Sequence, residues 1–146
     1  MDTIEVLDRL AELVRRGGDD LYVRWSRGPQ ADLASTGGLQ HGAGGLTGLA
    51  LPELPAHPLG VEPWWGERPV RLWVARRLCD CRARHEPCGP GVRPWLLRAE
   101  ECGRGRDEEP LVICRHPVAW ISDAALEECA AQIAAEGAPE RGPGVR

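Results

Sequence analysis

Three apolar runs, "WLLRAEE" at 95–101, "PLVICR" at 110–115 and "VAWIS" at 118–122, follow one another with only "CGRGRD" and His116-Pro117 as the main breaks between them. Links this short cannot hold the dozen or more residues of a parallel crossover, so the runs are predicted to be antiparallel neighbours. A fourth strand is expected at "LYVRWS", residues 21–26, where Leu21, Val23 and Trp25 alternate with Tyr22, Arg24 and Ser26. That period of two gives one apolar and one polar face.

Three helices are expected beside this sheet. In residues 2–16, Ile4, Leu7, Leu10, Ala11 and Val14 form one stripe, Asp2 and Glu5 resemble a capping pair, and Gly17-Gly18 ends the element. Residues 68–84 carry a stripe of Val70, Trp73, Val74, Leu78 and Cys81, with Pro69 in the first turn, where a missing N–H costs nothing. Ser122 is placed to cap a last helix running to about Glu136, with Leu126, Cys129, Ala130 and Ile133 facing inward. Residues 28–63, with "STGG", "HGAGG" and "PELPAHP", read as a long Gly/Pro-rich loop into which Leu46, Leu49, Leu51 and Leu54 bring some packing. The order predicts a single α+β domain over 1–136: a small, mainly antiparallel sheet of about four strands covered on one face by about three helices. Residues 137–146 are expected to be a disordered tail.

A chain of 146 residues is the size of one ordinary domain. It has no Phe, so six tryptophans must supply most of the bulky aromatic packing. All 18 basic residues are arginine, a bias that follows GC-rich codons and points to a high-GC bacterial source. No segment reaches the roughly 18 apolar residues of a membrane span, and the start lacks the pattern of a secretory signal. A cytoplasmic location is therefore expected, with the six cysteines held as thiols. A net charge of −4 speaks against nucleic acid as a partner, and no membrane partner is expected. Its distribution is uneven: residues 1–67 carry −5, residues 68–106 carry +6 and residues 107–146 carry −5. The basic middle suits either internal ion pairing or an anionic small molecule or acidic protein partner.

No complete catalytic or cofactor motif is present, and no cofactor is expected. "CDCRARHEPC" brings Cys79, Cys81, His85 and Cys88 together, but C-x-C in a helix sends its sulfurs about 200° apart; only Cys81, His85 and Cys88 stay as weak metal candidates. Cys102 and Cys114, near Arg104, Arg106 and Arg115, are the thiols that neighbouring arginines could activate, and His41 is a candidate base in the glycine-rich loop. "GLQHGAGGLTG" lacks the Gly-Lys-Ser/Thr ending of a phosphate loop, and the chain has no lysine. The strongest constellation is arginine with acid. Arg24, Ser26 and Arg27 leave the first strand, Arg98 lies two residues from Glu100 on a later one, and Arg104 and Arg106 follow. If the two strands pair, Arg24 and Arg98 are expected to share a polar sheet face able to hold an anion.

Arg24, Ser35-Thr36 and then Glu100 or Glu109 follow the order in which ADP-ribosyltransferases place an arginine, a Ser-Thr stretch and a catalytic glutamate. The resemblance is one of order alone, since the E-x-E signature is absent, and it makes a nucleotide-directed enzyme the alternative reading. More broadly, "LYVRWSRGP", "GLTGLA", "WW" at 64–65, "WVARRL", "RPW", "RGRDEEPL" and "PVAWI" resemble a family of small actinobacterial proteins of unknown function. That resemblance implies an intact fold and brings no activity. The leading expectation is a cytoplasmic, non-catalytic binding or regulatory protein that recognises an anionic ligand through an arginine-lined sheet face.

Overall fold

The computed structural model describes residues 1–32, 53–85 and 89–140. Among them the chain runs through β1 (Asp2–Ile4), α1 (Leu7–Gly17), β2 (Leu21–Ser26), β3 (Glu53–Pro55), β4 (His57–Pro58), a 3₁₀ turn (Pro63–Trp65), α2 (Val70–His85), β5 (Arg93–Arg104), β6 (Pro110–Ile121) and α3 (Asp123–Glu140). The sheet order is β1-β6-β5-β2-β4, with β3 also on β6. β1 runs parallel to β6, and every other pairing is antiparallel. This is one α+β domain, with short edge strands added to the expected sheet.

Two expected boundaries are corrected. The predicted helix over 2–16 begins only at Leu7, because residues 2–4 pair with Ala119–Ile121 as a strand. Asp2 and Glu5 therefore do not cap it. Val6 occupies the cap position without a side-chain bond, and the Leu7 N–H is taken by the Glu128 carboxylate of α3 at 2.6 Å. A negative group at a helix N-terminus does the work of a cap. The runs "PLVICR" and "VAWIS" form one strand, β6, that continues through His116-Pro117. Proline fits there because β3 pairs with residues 111–113 and β1 with 119–121, leaving 114–118 without a second neighbour among the described residues.

The helices cover one face, as expected. Leu7, Leu10 and Val14 of α1, Trp73, Val74, Leu78 and Cys81 of α2, and Ala125, Leu126 and Cys129 of α3 pack on Leu21, Val23, Leu96 and Ile121 of the sheet. Burying each large aliphatic side chain stabilises by about 1.5–3 kcal/mol. α2 starts directly after Pro69, and Ser122 caps α3 through the Ala125 N–H, 3.1 Å. α3 reaches Glu140, beyond the expected end near Glu136; residues 141–146 lie outside the described residues.

The opposite face curls on itself. β3 sits on the outer edge of β6 and β4 on the outer edge of β2, yet only Ala56 separates them, so one short segment links both edges of the β2-β5-β6 sheet. Register shifts at Leu96/Leu97, Arg98/Ala99 and Glu101/Gly103 add the twist that such curling needs. Inside the curl, Tyr22, Ala56, Trp95, Leu97, Ala99 and Val112 form a second core.

Candidate functional site

Strand register decides the first question about the arginines. Arg24 stands opposite Trp95, and Arg98 stands opposite Leu21. An odd spacing along both strands puts the two guanidiniums on opposite faces. The predicted shared face is thus not formed. Arg98 reaches the C-terminal end of α1, donating to the Gly17 carbonyl at 2.6 Å and pairing with Asp20.

Arg24 enters the inner face. It donates Nε to Asp32 Oδ2 at 2.8 Å and Nη2 to Oδ1 at 3.1 Å, with Nη1 on the Pro55 carbonyl at 2.9 Å. Residues 29–32 turn helically after Ser26 and deliver Asp32 to this point. The Ser26 hydroxyl donates to Asp32 and accepts from the Trp95 indole N–H at 2.8 Å and the Gly28 N–H at 3.1 Å. A hydroxyl with one donor and two acceptor lone pairs is then fully used, so Ser26 has no capacity left for chemistry. Arg27 donates to the Pro90 carbonyl at 3.1 Å.

Beyond β4, β2 has no further neighbour on that edge among the described residues, and a cleft of about 640 Å³ opens between the second half of α2 and the β5–β6 turn. Its floor carries a histidine pair. His57 Nε2 lies 2.9 Å from His85 Nε2, and the His85 ring stacks on Trp25 at 5.3 Å and 9°. The flanking prolines of "PAHP" hold His57 extended, and His85 ends α2. Arg77 and Arg84, seven apart on α2, share one helix face with this floor. Burial first, then His85, Arg84 and Arg77, push the His57 ring down to about 4. Burial, Arg24 and Arg84 lower His85 as well. Both rings are neutral at pH 7, one donating and the other accepting.

The cationic groups here are unevenly occupied. Arg77 gives Nη2 to the Pro58 carbonyl at 3.0 Å, lies 5.5 Å over the Trp73 ring, and keeps a buried Nε without an acceptor. Arg84 is exposed and makes no hydrogen bond or ion pair among the described residues. The outer rim is acidic. Arg104 there is tied to Glu101 at 3.4 Å and to the Glu108 carbonyl at 3.1 Å, and Arg106 is exposed on the turn.

The remaining candidates are accounted for by their surroundings. Glu109 folds over Gly105 and accepts the Asp107 N–H at 2.9 Å, holding the hairpin turn. Glu100 is a surface partner of Arg115 at 3.3 Å. The expected activation of Cys102 and Cys114 is reversed: burial raises both thiols, with Glu53 acting further on Cys102 and Asp32 on Cys114. Cys81 lies in the helix-covered core, its thiol pushed up to about 11, and shares no site with His85, which bonds His57. No group of three or more His, Cys, Asp or Glu able to hold a metal occurs among the described residues. Cys88, His41, Ser35-Thr36 and the glycine-rich loop lie outside them.

A second cleft, about 620 Å³, follows the unpaired stretch of β6 and is walled by Trp95, Trp120 and Pro117. It is mainly apolar and offers fewer convergent polar groups than the histidine cleft. No helix of the described residues is long and apolar enough to cross a membrane. No curated protein and no solved structure matches the chain. A family model does match, over residues 1–142, and the chain belongs to that family of unknown function, DUF6098.

Proposed function

We propose that this protein is a cytoplasmic, non-catalytic binding or regulatory protein that takes an anionic small molecule in the cleft floored by His57 and His85. The observation that carries the reading is the convergence of Arg24, Arg77 and Arg84 on a neutral histidine pair. Arg24 is neutralised by Asp32, whereas Arg77 and Arg84 form no ion pair with a carboxylate among the described residues. A guanidinium offers planar donors that match carboxylate and phosphate oxygens. The cleft volume of about 640 Å³ falls in the range of small-molecule sites. The concavity favours a small ligand over a flat acidic protein surface.

The non-catalytic part of the reading rests on the candidate nucleophiles and bases. Ser26 is saturated, Glu109 is committed to the turn, Glu100 is on the surface, and the thiols are held protonated. The cytoplasmic part rests on five thiols that are free among the described residues.

Thermal unfolding with phosphate, sulfate and citrate at low millimolar concentration tests the proposal, below the range in which such salts stabilise proteins generally. Wild type should be stabilised by at least one of these anions, Arg84→Ala should lose that shift, and Arg98→Ala should keep it. Equal shifts in wild type and Arg84→Ala, or none in wild type, would refute the site.

A further inference from the structure

We infer that the His57–His85 pair couples this anion site to protons, so that one proton enters the pair when an anion occupies the cleft; the inference rests on the anion reading above. The geometry defines where that proton goes. A 2.9 Å contact between two Nε2 atoms needs one N–H and one lone pair. The donating ring therefore has a bare Nδ1, and the accepting ring carries its hydrogen on Nδ1. A proton can add to the unprotonated Nδ1 of the donating ring without breaking the Nε2–H···Nε2 bond. That bond becomes charge-assisted and stronger, and Nδ1 changes from acceptor to donor. No other covalent bond of the protein is made or broken.

The charges facing the pair decide when this happens. Arg24 approaches from β2, Arg77 and Arg84 from α2, and Glu109 from the β5–β6 turn; Glu62, Glu101, Arg104, Asp107 and Glu108 line the same cleft farther along. Arg24 is balanced by Asp32, Arg104 by Glu101, and Glu109 opposes the rest only in part. Arg77 and Arg84 thus keep the local field positive and the empty pair neutral. An anion placed against those two guanidiniums offsets their field at the rings, and an added proton is then favoured. By linkage, the anion must bind more tightly as pH falls, with a limit of tenfold per pH unit for one proton taken up.

Sulfate is the probe, because it does not itself titrate in the working range. Calorimetric titration of the full chain in two buffers of different ionisation enthalpy, at about pH 5 and about pH 8, counts the protons bound with each sulfate. Wild type is expected to take up close to one proton at the lower pH and to bind sulfate several-fold more weakly at the higher. The double variant His57→Gln with His85→Gln, which has no titrating ring in the cleft, is expected to take up none. Histidine NMR titration of the wild type gives a second readout: sulfate should raise the midpoint of the pair by about two pH units relative to chloride. Sulfate binding without proton uptake or movement of that midpoint would overturn the coupling alone. No sulfate binding at either pH would overturn the anion reading and the coupling with it.

Discussion

Arg24 and Arg98 lie on paired strands of one sheet and carry the same side chain, but they do different work. Arg24 and Asp32 are bound through two hydrogen bonds inside the curl, with side chains 18% and 10% exposed. Arg98 and Asp20 meet on the helix side with 25% and 40% exposed. The inner pair is buried with Ser26 and Trp95, so each of its groups depends on the others. The outer pair has water as an alternative partner. Burial, rather than residue type or distance, sets how much an ion pair matters.

The largest contrast is expected from removing the acids. Asp32→Ala should destabilise by about 3–5 kcal/mol, since it strands Arg24 and the Ser26 hydroxyl in a largely buried site. Chemical denaturation measures this, and the double change Arg24→Met with Asp32→Leu should recover part of the loss. Ser26→Ala comes next, at about 2–3 kcal/mol, because it leaves the Trp95 and Gly28 N–H groups without their acceptor. Gly28→Ala should lose about 2 kcal/mol or more: Gly28 has φ +116°, and an added Cβ would lie 2.8 Å from the Trp120 ring. On the outer face, Asp20→Ala should lose about 1 kcal/mol or less. If Asp20→Ala and Asp32→Ala proved equal, the contrast between the faces would fail.

Acid sharpens the same comparison within the cleft. His57 binds its proton less readily folded than unfolded, its ordinary value of 6.5 falling to about 4, and His85 moves the same way. The unfolded chain therefore takes up protons first. Stability should be full above about pH 6.5 and decline as pH falls toward about 4. Allowing for partial solvent exposure, the loss due to His57 is about 1 kcal/mol, and His57→Gln should remove it.

The helix-covered face was legible because its signals are local. Leu7, Leu10 and Val14 recur at helical spacing, Leu21, Val23 and Trp25 at strand spacing, and Pro69 and Ser122 mark helix starts. The exception, Asp2–Ile4, took its strand form from pairing with β6, which no local pattern announces. The inner face was less legible because it depends on closure. Asp32 arrives from outside β2 and the bulges of β5 reset which side chains face inward; on the helix side the histidine cleft is hidden in the same way, since His57, opposite Val23, meets His85 only once β4 reaches β2. Arg24 is a candidate that the alternation of β2 offers, but nothing in that pattern points to its partner Asp32 or to the cleft residues Arg77 and Arg84. Seven-residue spacing on α2 was the available sign for those two.

NMR chemical-shift mapping with sulfate tests the central claim most directly, because it reads the histidine cleft and the Arg98–Asp20 pair in one experiment. The account expects changes at the Trp25 indole and at the backbone of Arg24, His57, Arg77, Arg84 and His85, with Asp20 and Arg98 unmoved. Changes centred on Asp20 and Arg98, or none near the histidine pair at saturating sulfate, would contradict it.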